Sequence, residues 1–125
     1  MSKVAIDATW LSAFIRWNLA TFGPGRRTEG TIDHIREELR EIEADPTDPK
    51  EWADIILLAF NGLARIGLTP DEIIQVVINK QAGNVERLWP DWRSVDPNKA
   101  VGHIKEVDAF NPYGSGPVPV GPRED

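Results

Sequence analysis

Residues 31–66 read TIDHIREELREIEADPTDPKEWADIILLAFNGLARI, and the architecture follows from this stretch. Apolar residues recur every three or four positions on both sides of a central DPTDP segment, which is the spacing of helices that bury one face. Asp and Pro dominate residues 45–49, so this segment is a turn. The pattern predicts two helices, residues 32–44 with Thr31 as N-cap and residues 49–66, which a short turn makes antiparallel neighbours.

The second of these helices begins with a strong start signal. Asp48 is a good N-cap, Pro49 suits the first helical position, and Glu51 stands at the third position as in a capping box. Apolar residues cover most of the circumference up to residue 66, so we expect this helix to be the most buried element. Gly67 is its expected C-cap.

Further helices flank this pair. A wide apolar face predicts a helix at about residues 5–21, ended by the Gly-Pro-Gly sequence at 23–25. Thr69-Pro70-Asp71-Glu72 repeats the capping signal and predicts a helix to about residue 88, and Asp96-Pro97 predicts a short helix at 98–105. No stretch alternates like a strand, so we predict an all-α bundle of four main helices in one domain, residues 1–110, with an extended or disordered Pro/Gly-rich tail at 111–125.

The composition of the chain excludes several classes of function. The 125 residues carry 14 Lys and Arg against 20 Asp and Glu, a net charge of −6, which disfavours nucleic acid as a partner. There is no cysteine, which removes thiol catalysis and zinc–thiolate sites. No signal-peptide pattern and no long apolar run occur, so we expect a cytoplasmic protein without a membrane partner.

Four acidic residues form two pairs on the adjacent helices. Glu38 with Glu41, and Glu51 with Asp54, are three residues apart and therefore share a helix face. Asp54 has leucines one turn away, where an unpaired carboxylate is costly. Four oxygen donors without cysteine or histidine suit Mg²⁺, with Mn²⁺ as a second candidate, and such ions serve phosphoryl chemistry.

Each acid also has a simpler explanation. Glu41 can be a solvated partner of Arg40, and Glu51 can be only the third-position residue of the helix cap. The four acids taken together, with Asp54 among leucines, favour a metal site over these simpler explanations.

A cationic stripe follows on the fourth helix. Lys80, Asn84 and Arg87 lie at i, i+4 and i+7 and therefore on one face, where they can bind a triphosphate. The alternative is a helix end whose cations complement the helix dipole.

Several phrases of the sequence, taken in order, resemble the MazG-like, all-α nucleoside triphosphate pyrophosphohydrolases, and most closely their phage and bacterial dATP/dGTP pyrophosphohydrolase subgroup. The resemblance covers most of residues 14–104. The phrases are FGPGRR at 22–27, DHIREELREI at 33–42, EWADIILLA at 51–59, KQAGNVER at 80–87 and WPDWR at 89–93. Only nine residues separate Glu41 from Glu51, fewer than in most MazG-like chains.

The resemblance implies Glu38, Glu41, Glu51 and Asp54 as metal ligands, and it makes Lys80, Asn84 and Arg87 candidates for nucleotide contact. It also implies that the enzyme serves phage genomes containing 2-aminoadenine, by converting dGTP to dGMP and depleting dATP.

The function expected from these residues is hydrolysis of a purine deoxynucleoside triphosphate to the monophosphate and pyrophosphate. Two or three Mg²⁺ ions would bind the phosphate oxygens, and Glu38 or Glu41 would accept the proton of the attacking water. Two alternatives stay open: a phosphatase that releases inorganic phosphate, and a non-catalytic interaction module in which tryptophans are packing anchors.

The end of the first helix offers a base site. Ile15, Trp17, Asn18 and Phe22 lie within two turns, and the Asn18 amide both donates and accepts, which suits a purine edge. Plain core or interface packing is the alternative for Ile15 and Phe22. The apolar face is wider than one neighbouring helix can cover, and the resembling family forms dimers and tetramers, so we expect a homo-oligomer.

Overall fold

The computed structural model describes residues 4–105, and the predicted tail at 111–125 lies outside them. The described chain is all-α, as predicted. It consists of α1 (Ala8–Phe22), α2 (Thr28–Ala44), α3 (Pro49–Arg65), α4 (Pro70–Glu86) and a single 3-10 turn at Trp92–Ser94. Within residues 4–105 no strand forms, and the one β-type pairing is an isolated antiparallel bridge between Leu88 and Ile104.

The first two helices start at other residues than predicted. Helix α1 begins at Ala8 rather than residue 5, because the Asp7 carboxylate accepts a hydrogen bond from the Trp10 amide at 2.9 Å and acts as N-cap. Helix α2 begins one turn before the predicted cap. The Thr31 amide already donates to the Arg27 carbonyl at 2.8 Å, so Thr31 lies inside the helix.

The predicted N-cap of α3 and the predicted capping box of α4 are confirmed. Asp48 caps α3 by accepting from the Lys50 amide at 3.0 Å. At α4, Thr69 and Glu72 bond each other's backbone amides at 2.9 and 3.2 Å, which is a complete capping box. Helix α4 ends at Glu86, two residues before the predicted end.

The predicted helix at 98–105 is wrong. The Asp96 carboxylate accepts from the Asn98 amide at 2.9 Å and its carbonyl accepts from the Lys99 amide at 3.0 Å, so the segment closes one turn. The backbone then extends, and the Ile104 amide donates to the Leu88 carbonyl at 2.6 Å. The Asp-Pro pair therefore starts a turn without a helix after it.

The chain divides into two compact units, a first up to Ile78 and a second from Asn79 onward, with the boundary inside α4. In the first unit α3 packs against both α1 and α2. Its buried apolar residues are Leu11, Ile42 and Ile73. No residue of α3 is fully buried, but eleven of its seventeen residues are partly buried, a larger share than in α1, α2 or α4, which agrees with the prediction that α3 is the most buried helix. Two neighbouring helices cover only part of its apolar circumference, and Trp52 and Ile56 are 54% and 53% exposed.

Within the described residues no single helix is long and apolar enough to cross a membrane. Helices α3 and α4 taken together, as a bent pair, satisfy the criteria of length and composition alone.

Candidate functional site

Three carboxylates from two helices converge in the first unit. Glu38 and Glu41 are one turn apart on α2, and Glu51 lies in the first turn of α3. One oxygen from each lies within 4.8 Å of the others, a spacing at which a single cation can bind all three. Glu38 is only 7% exposed, Glu51 is partly exposed and Glu41 is exposed. The cluster is thus closed on the Glu38 side and open to solvent at Glu41.

The electrostatics of this cluster favour a bound positive charge. Contact with Glu41, followed by burial and contact with Glu38, raises the pKa of Glu51 to about 7. Burial is the main cause that raises the pKa of Glu38, and contact with Glu41 and the charge of Asp54 add to it. The acids resist ionising together, and either a shared proton or a cation relieves that repulsion.

Two oxygens of the cluster lack a hydrogen-bond donor. The Oε2 atoms of Glu38 and Glu51 are buried and have no hydrogen-bond partner among the described residues. The other oxygen of Glu38 lies 3.4 Å from His34 Nε2. Native proteins rarely leave buried carboxylate oxygens unpaired, and a hard cation with oxygen ligands is the partner that this donor set fits.

Asp54 lies one turn beyond Glu51 on the same face of α3. It is not part of the three-residue cluster, and it lines a cleft of about 170 Å³ together with Trp17, Asn18 and His34. The predicted set of four acids therefore consists of three converging carboxylates and one carboxylate directed into the adjoining cleft.

The three candidate base-contacting residues of α1 differ in their surroundings. Asn18 is 7% exposed, donates to the Phe14 carbonyl at 3.0 Å and lines the cleft. Trp17 also lines it, with its ring edge-on to Phe22 at 5.7 Å between centroids. Ile15 is not among the residues of that cleft and lines a smaller pocket of about 40 Å³, which shares Phe14, Asn18 and Asn61 with the cleft.

The predicted phosphate-contacting residues belong to the second unit. Arg87 Nη1 donates to Asn84 Oδ1 at 3.4 Å, so these two side chains act together. Lys80 is exposed one turn before Asn84.

Two residues with a place at the site were not predicted. His34 contacts Glu38 and lines the cleft, and Arg65 lines an adjoining cleft with a buried guanidinium nitrogen. The spacing of both residues in the sequence indicated that they could lie at the site. His34 stands four residues before Glu38, and Arg65 stands fourteen residues after Glu51, which is the same face of a helix.

The raised pKa of Glu51 predicts how the stability of the metal-free protein depends on pH. The carboxyl has a pKa of 4.5 in the unfolded chain and of about 7 in the folded chain, so between these values the folded state binds more protons. The free energy of unfolding therefore falls as the pH rises through this window. We expect Tm, measured with a chelator, to fall more between pH 5 and pH 8 in the wild type than in Glu51→Gln. Parallel curves for the two proteins would contradict the raised pKa.

A family model and a curated phage protein match the chain. The family model for dATP/dGTP pyrophosphohydrolase matches residues 10–107, which includes every acid of the cluster. The Eaa protein of Salmonella phage P22 is 38% identical over 63 residues, which is 50% of this chain and 19% of that relative. The match thus spans about a fifth of the length of the curated relative, and no solved structure matches the chain. Because the family model covers most of its residues, the chain belongs to the dATP/dGTP pyrophosphohydrolase family.

Proposed function

We propose that this chain is a Mg²⁺-dependent nucleoside triphosphate pyrophosphohydrolase of the MazG-like kind that cleaves dGTP and dATP to the monophosphate and pyrophosphate. The observation that carries the proposal is the cluster of Glu38, Glu41 and Glu51, whose oxygens lie within 4.8 Å and include two buried oxygens without a partner. Membership of the dATP/dGTP pyrophosphohydrolase family supports the substrate class. The catalytic domain spans residues 1–110.

In this proposal Glu38, Glu41, Glu51 and Asp54 hold two or three divalent ions, Mg²⁺ or Mn²⁺. When bound, such ions supply charge that stabilises phosphate oxygens and makes a water molecule more acidic. Glu38 and Glu41 are both candidates to accept the proton of the attacking water. Glu38 is buried and lies 3.4 Å from His34, whereas Glu41 is exposed and accessible to water.

The remaining candidate residues are assigned to the phosphates and to the base of the nucleotide. Lys80, Asn84 and Arg87 contact the phosphates, where a cation offsets the negative charge. Ile15, Trp17 and Asn18 form the site for the base, and the cleft of Trp17 and Asn18 also contains Asp54. In a phage-infected cell, depletion of dATP and production of dGMP in the host cytoplasm would support synthesis of DNA that contains 2-aminoadenine, and the phage relative is in keeping with that setting.

Product analysis tests the activity. The purified chain, incubated with each dNTP and Mg²⁺, should release pyrophosphate and the monophosphate from dGTP and dATP. Release of inorganic phosphate would identify a phosphatase instead. A chain that binds no nucleotide and releases neither product would contradict the proposal and favour the interaction module.

Asn18 provides a test of the base site. The Asn18→Ala variant should lose preference for dGTP over dCTP, because Asn18 carries the one side-chain amide of α1, and an amide can both donate to and accept from a purine edge. We expect the ratio of kcat/KM values to fall about fivefold to tenfold, the scale of one net hydrogen bond. An unchanged ratio would leave Asn18 as a buried residue that only bonds the Phe14 carbonyl.

We also propose that the chain is a homodimer or homotetramer. Apolar residues that two neighbouring helices cannot cover support this, above all Trp52 and Ile56 on α3, each more than half exposed. Ile56→Asp should weaken association at least about 30-fold, a 2 kcal/mol effect typical of interface anchors, whereas the exposed Gln81→Asp should not. Light scattering against concentration measures both, and a wild type that is monomeric at micromolar concentration would contradict the proposal.

A further inference from the structure

Two adjoining clefts of the first unit differ in their chemistry. One is the cleft of about 170 Å³ that contains Asp54, and the other has a volume of about 210 Å³. They share residues of α1, α2 and α3, among them Asn18, His34 and Asn61. Only the first, which we call the aromatic cleft, is lined by Phe14, Trp17, Asp54 and Leu57. Only the second, the arginine cleft, is lined by Arg27, Gly30, Thr31 and Arg65.

Arg27 places a guanidinium at the edge of the arginine cleft. Its Nη1 donates to the Phe22 carbonyl at 3.1 Å, and its Nη2 lies 3.6 Å from the position that a Cβ atom on Gly30 would take. Phe22 and Gly30 both line this cleft, so the guanidinium lies between two parts of its wall. Arg27 is exposed, so a ligand that enters the cleft can contact its side chain.

The positive charge of Arg27 has no acidic partner. Within residues 4–105 its side chain makes one hydrogen bond, to the Phe22 carbonyl, and no ion pair. Arg65 donates only to Asn61 and to two loop carbonyls, all of which are neutral, so no carboxylate offsets its charge either. That charge acts on the cleft across space, without contact with a ligand. No acidic residue lines the arginine cleft, which therefore favours an anion.

Helix α2 connects the arginine cleft to the acid cluster. Thr31, His34 and Glu38 stand at i, i+3 and i+7, which is one face of the helix. Eight residues at 1.5 Å each separate Gly30, over which the guanidinium lies, from Glu38 by about 12 Å along the axis. Helical side chains lean toward the N-terminus of their helix, which brings the Glu38 carboxylate nearer to Arg27. Metal ions at the acids and an extended triphosphate can together span this distance.

The difference between the two clefts sets the direction of the nucleotide. A base requires apolar walls and few polar groups, and the aromatic cleft supplies such walls with Phe14, Trp17 and Leu57. The arginine cleft has two cationic residues and the Thr31 hydroxyl in their place, and arginine and threonine are typical phosphate-binding residues. The base therefore belongs to the aromatic cleft, and phosphates that extend beyond the acid cluster belong to the arginine cleft.

We propose that Arg27 binds the β- and γ-phosphates of the nucleotide and, after cleavage, the pyrophosphate that they form. Its guanidinium presents planar donors that match phosphate oxygens, and its charge stabilises the negative charge that develops on the leaving pyrophosphate. This contact comes from the first unit and is additional to those assigned to Lys80, Asn84 and Arg87. The assignment to these two phosphates rests on the proposed pyrophosphohydrolase activity.

Calorimetry with inorganic pyrophosphate and with dGMP, each in the presence of Mg²⁺, tests this site without turnover. Arg27→Gln should weaken pyrophosphate binding about tenfold or more, the scale of one charge-assisted hydrogen bond, and dGMP binding less than about twofold. Arg26→Gln is the matched control, because Arg26 is the preceding residue, is exposed and lines neither cleft. It makes the same charge change, and because salt screens exposed charges it should alter both dissociation constants less than about twofold.

Arg27 also ties the end of α1 to the start of α2 through the Phe22 carbonyl. A purely structural role predicts equal losses of pyrophosphate and dGMP binding in Arg27→Gln, and that result would overturn the proposal. An equal effect of Arg26→Gln on pyrophosphate binding would indicate a general effect of net charge and would overturn it too. If Arg27→Gln does not fold, Arg27→Lys keeps the charge without the planar donors and should weaken pyrophosphate binding by a smaller factor, with dGMP binding unchanged. The same loss for both ligands in Arg27→Lys would again indicate a structural role.

Binding and turnover together separate this site from the proposed activity. Pyrophosphate release from dGTP, together with unchanged pyrophosphate affinity in Arg27→Gln, would overturn the role of Arg27 and leave the pyrophosphohydrolase standing. Pyrophosphate binding that depends on Arg27 in a chain that cleaves no dNTP would overturn the activity and leave the anion site standing. A wild type that binds dGMP but no pyrophosphate would also overturn the role of Arg27.

Discussion

Glu38→Gln should reduce pyrophosphate release at least about a hundredfold while the metal-free protein becomes no less stable than the wild type. Loss of a group that merely supports a metal ligand already costs about 10-fold to 100-fold at characterised sites, and here a ligand itself is changed. Glutamine keeps the shape and can still accept a hydrogen bond from His34, which lies 3.4 Å from the wild-type carboxylate. The substitution removes one negative charge from a buried cluster in which repulsion and burial raise the pKa of Glu38 and Glu51. Stability and activity should therefore move in opposite directions.

The measurement combines product analysis at saturating Mg²⁺ with thermal unfolding in the presence of a chelator. Glu43→Gln, on the same helix and exposed, makes the same charge change outside the cluster and should alter neither quantity substantially. Asp54→Asn should resemble Glu38→Gln in activity. Near wild-type turnover by either variant would contradict the metal site, and a large loss of stability in Glu38→Gln would indicate that the carboxylate is mainly structural.

Local signals in the sequence were enough to predict most of the helices. The reciprocal bonds of Thr69 and Glu72 and the Asp48 cap depend on side chains within three residues of the helix start, so their geometry is encoded locally. The start of α2 was predicted wrongly because Thr31 has the residue type of a good N-cap. In the structure the backbone is already helical from Thr28. No side-chain cap forms at Arg27, so a preference for capping residues does not identify this start.

The exposure of Trp52 and Ile56 on α3 could not be predicted from the composition of the helix. An apolar circumference indicates that a helix will be covered, and it does not say whether this chain or another copy covers it. Trp52 and Ile56 are exposed in the single chain although their residue types suggest a core. The convergence of Glu38, Glu41 and Glu51, in contrast, follows from helix periodicity and a short turn, and these are local features.

Arg65 illustrates what a search for motifs omits. A single arginine at a helix end is usually explained by the helix dipole, and nothing in the residues around it indicated that Gly23 and Gly25 would occupy two of its hydrogen bonds. Those contacts join residues 40 and 42 positions apart, which local spacing cannot predict.

Lys80→Ala should weaken binding of a triphosphate about tenfold to a hundredfold and leave binding of the nucleoside almost unchanged. A charge-assisted contact to phosphate contributes on the order of 1.5–3 kcal/mol, and deoxyguanosine has no phosphate with which to make it. Lys80 is exposed, so its truncation to alanine opens no cavity and removes little packing. An effect confined to the triphosphate would therefore arise from charge.

Calorimetry with Mg²⁺ and a dGTP analogue that has a methylene group between the α- and β-phosphorus atoms measures this binding without turnover. Lys99→Ala, at another exposed lysine of the second unit, is the control for net charge and should change the dissociation constant less than twofold. Equal losses for the analogue and for deoxyguanosine would mean that Lys80 has a structural role instead. Because salt screens exposed charges, the difference in dissociation constant between the wild type and Lys80→Ala should become smaller as the ionic strength rises. A loss of packing would not produce this dependence.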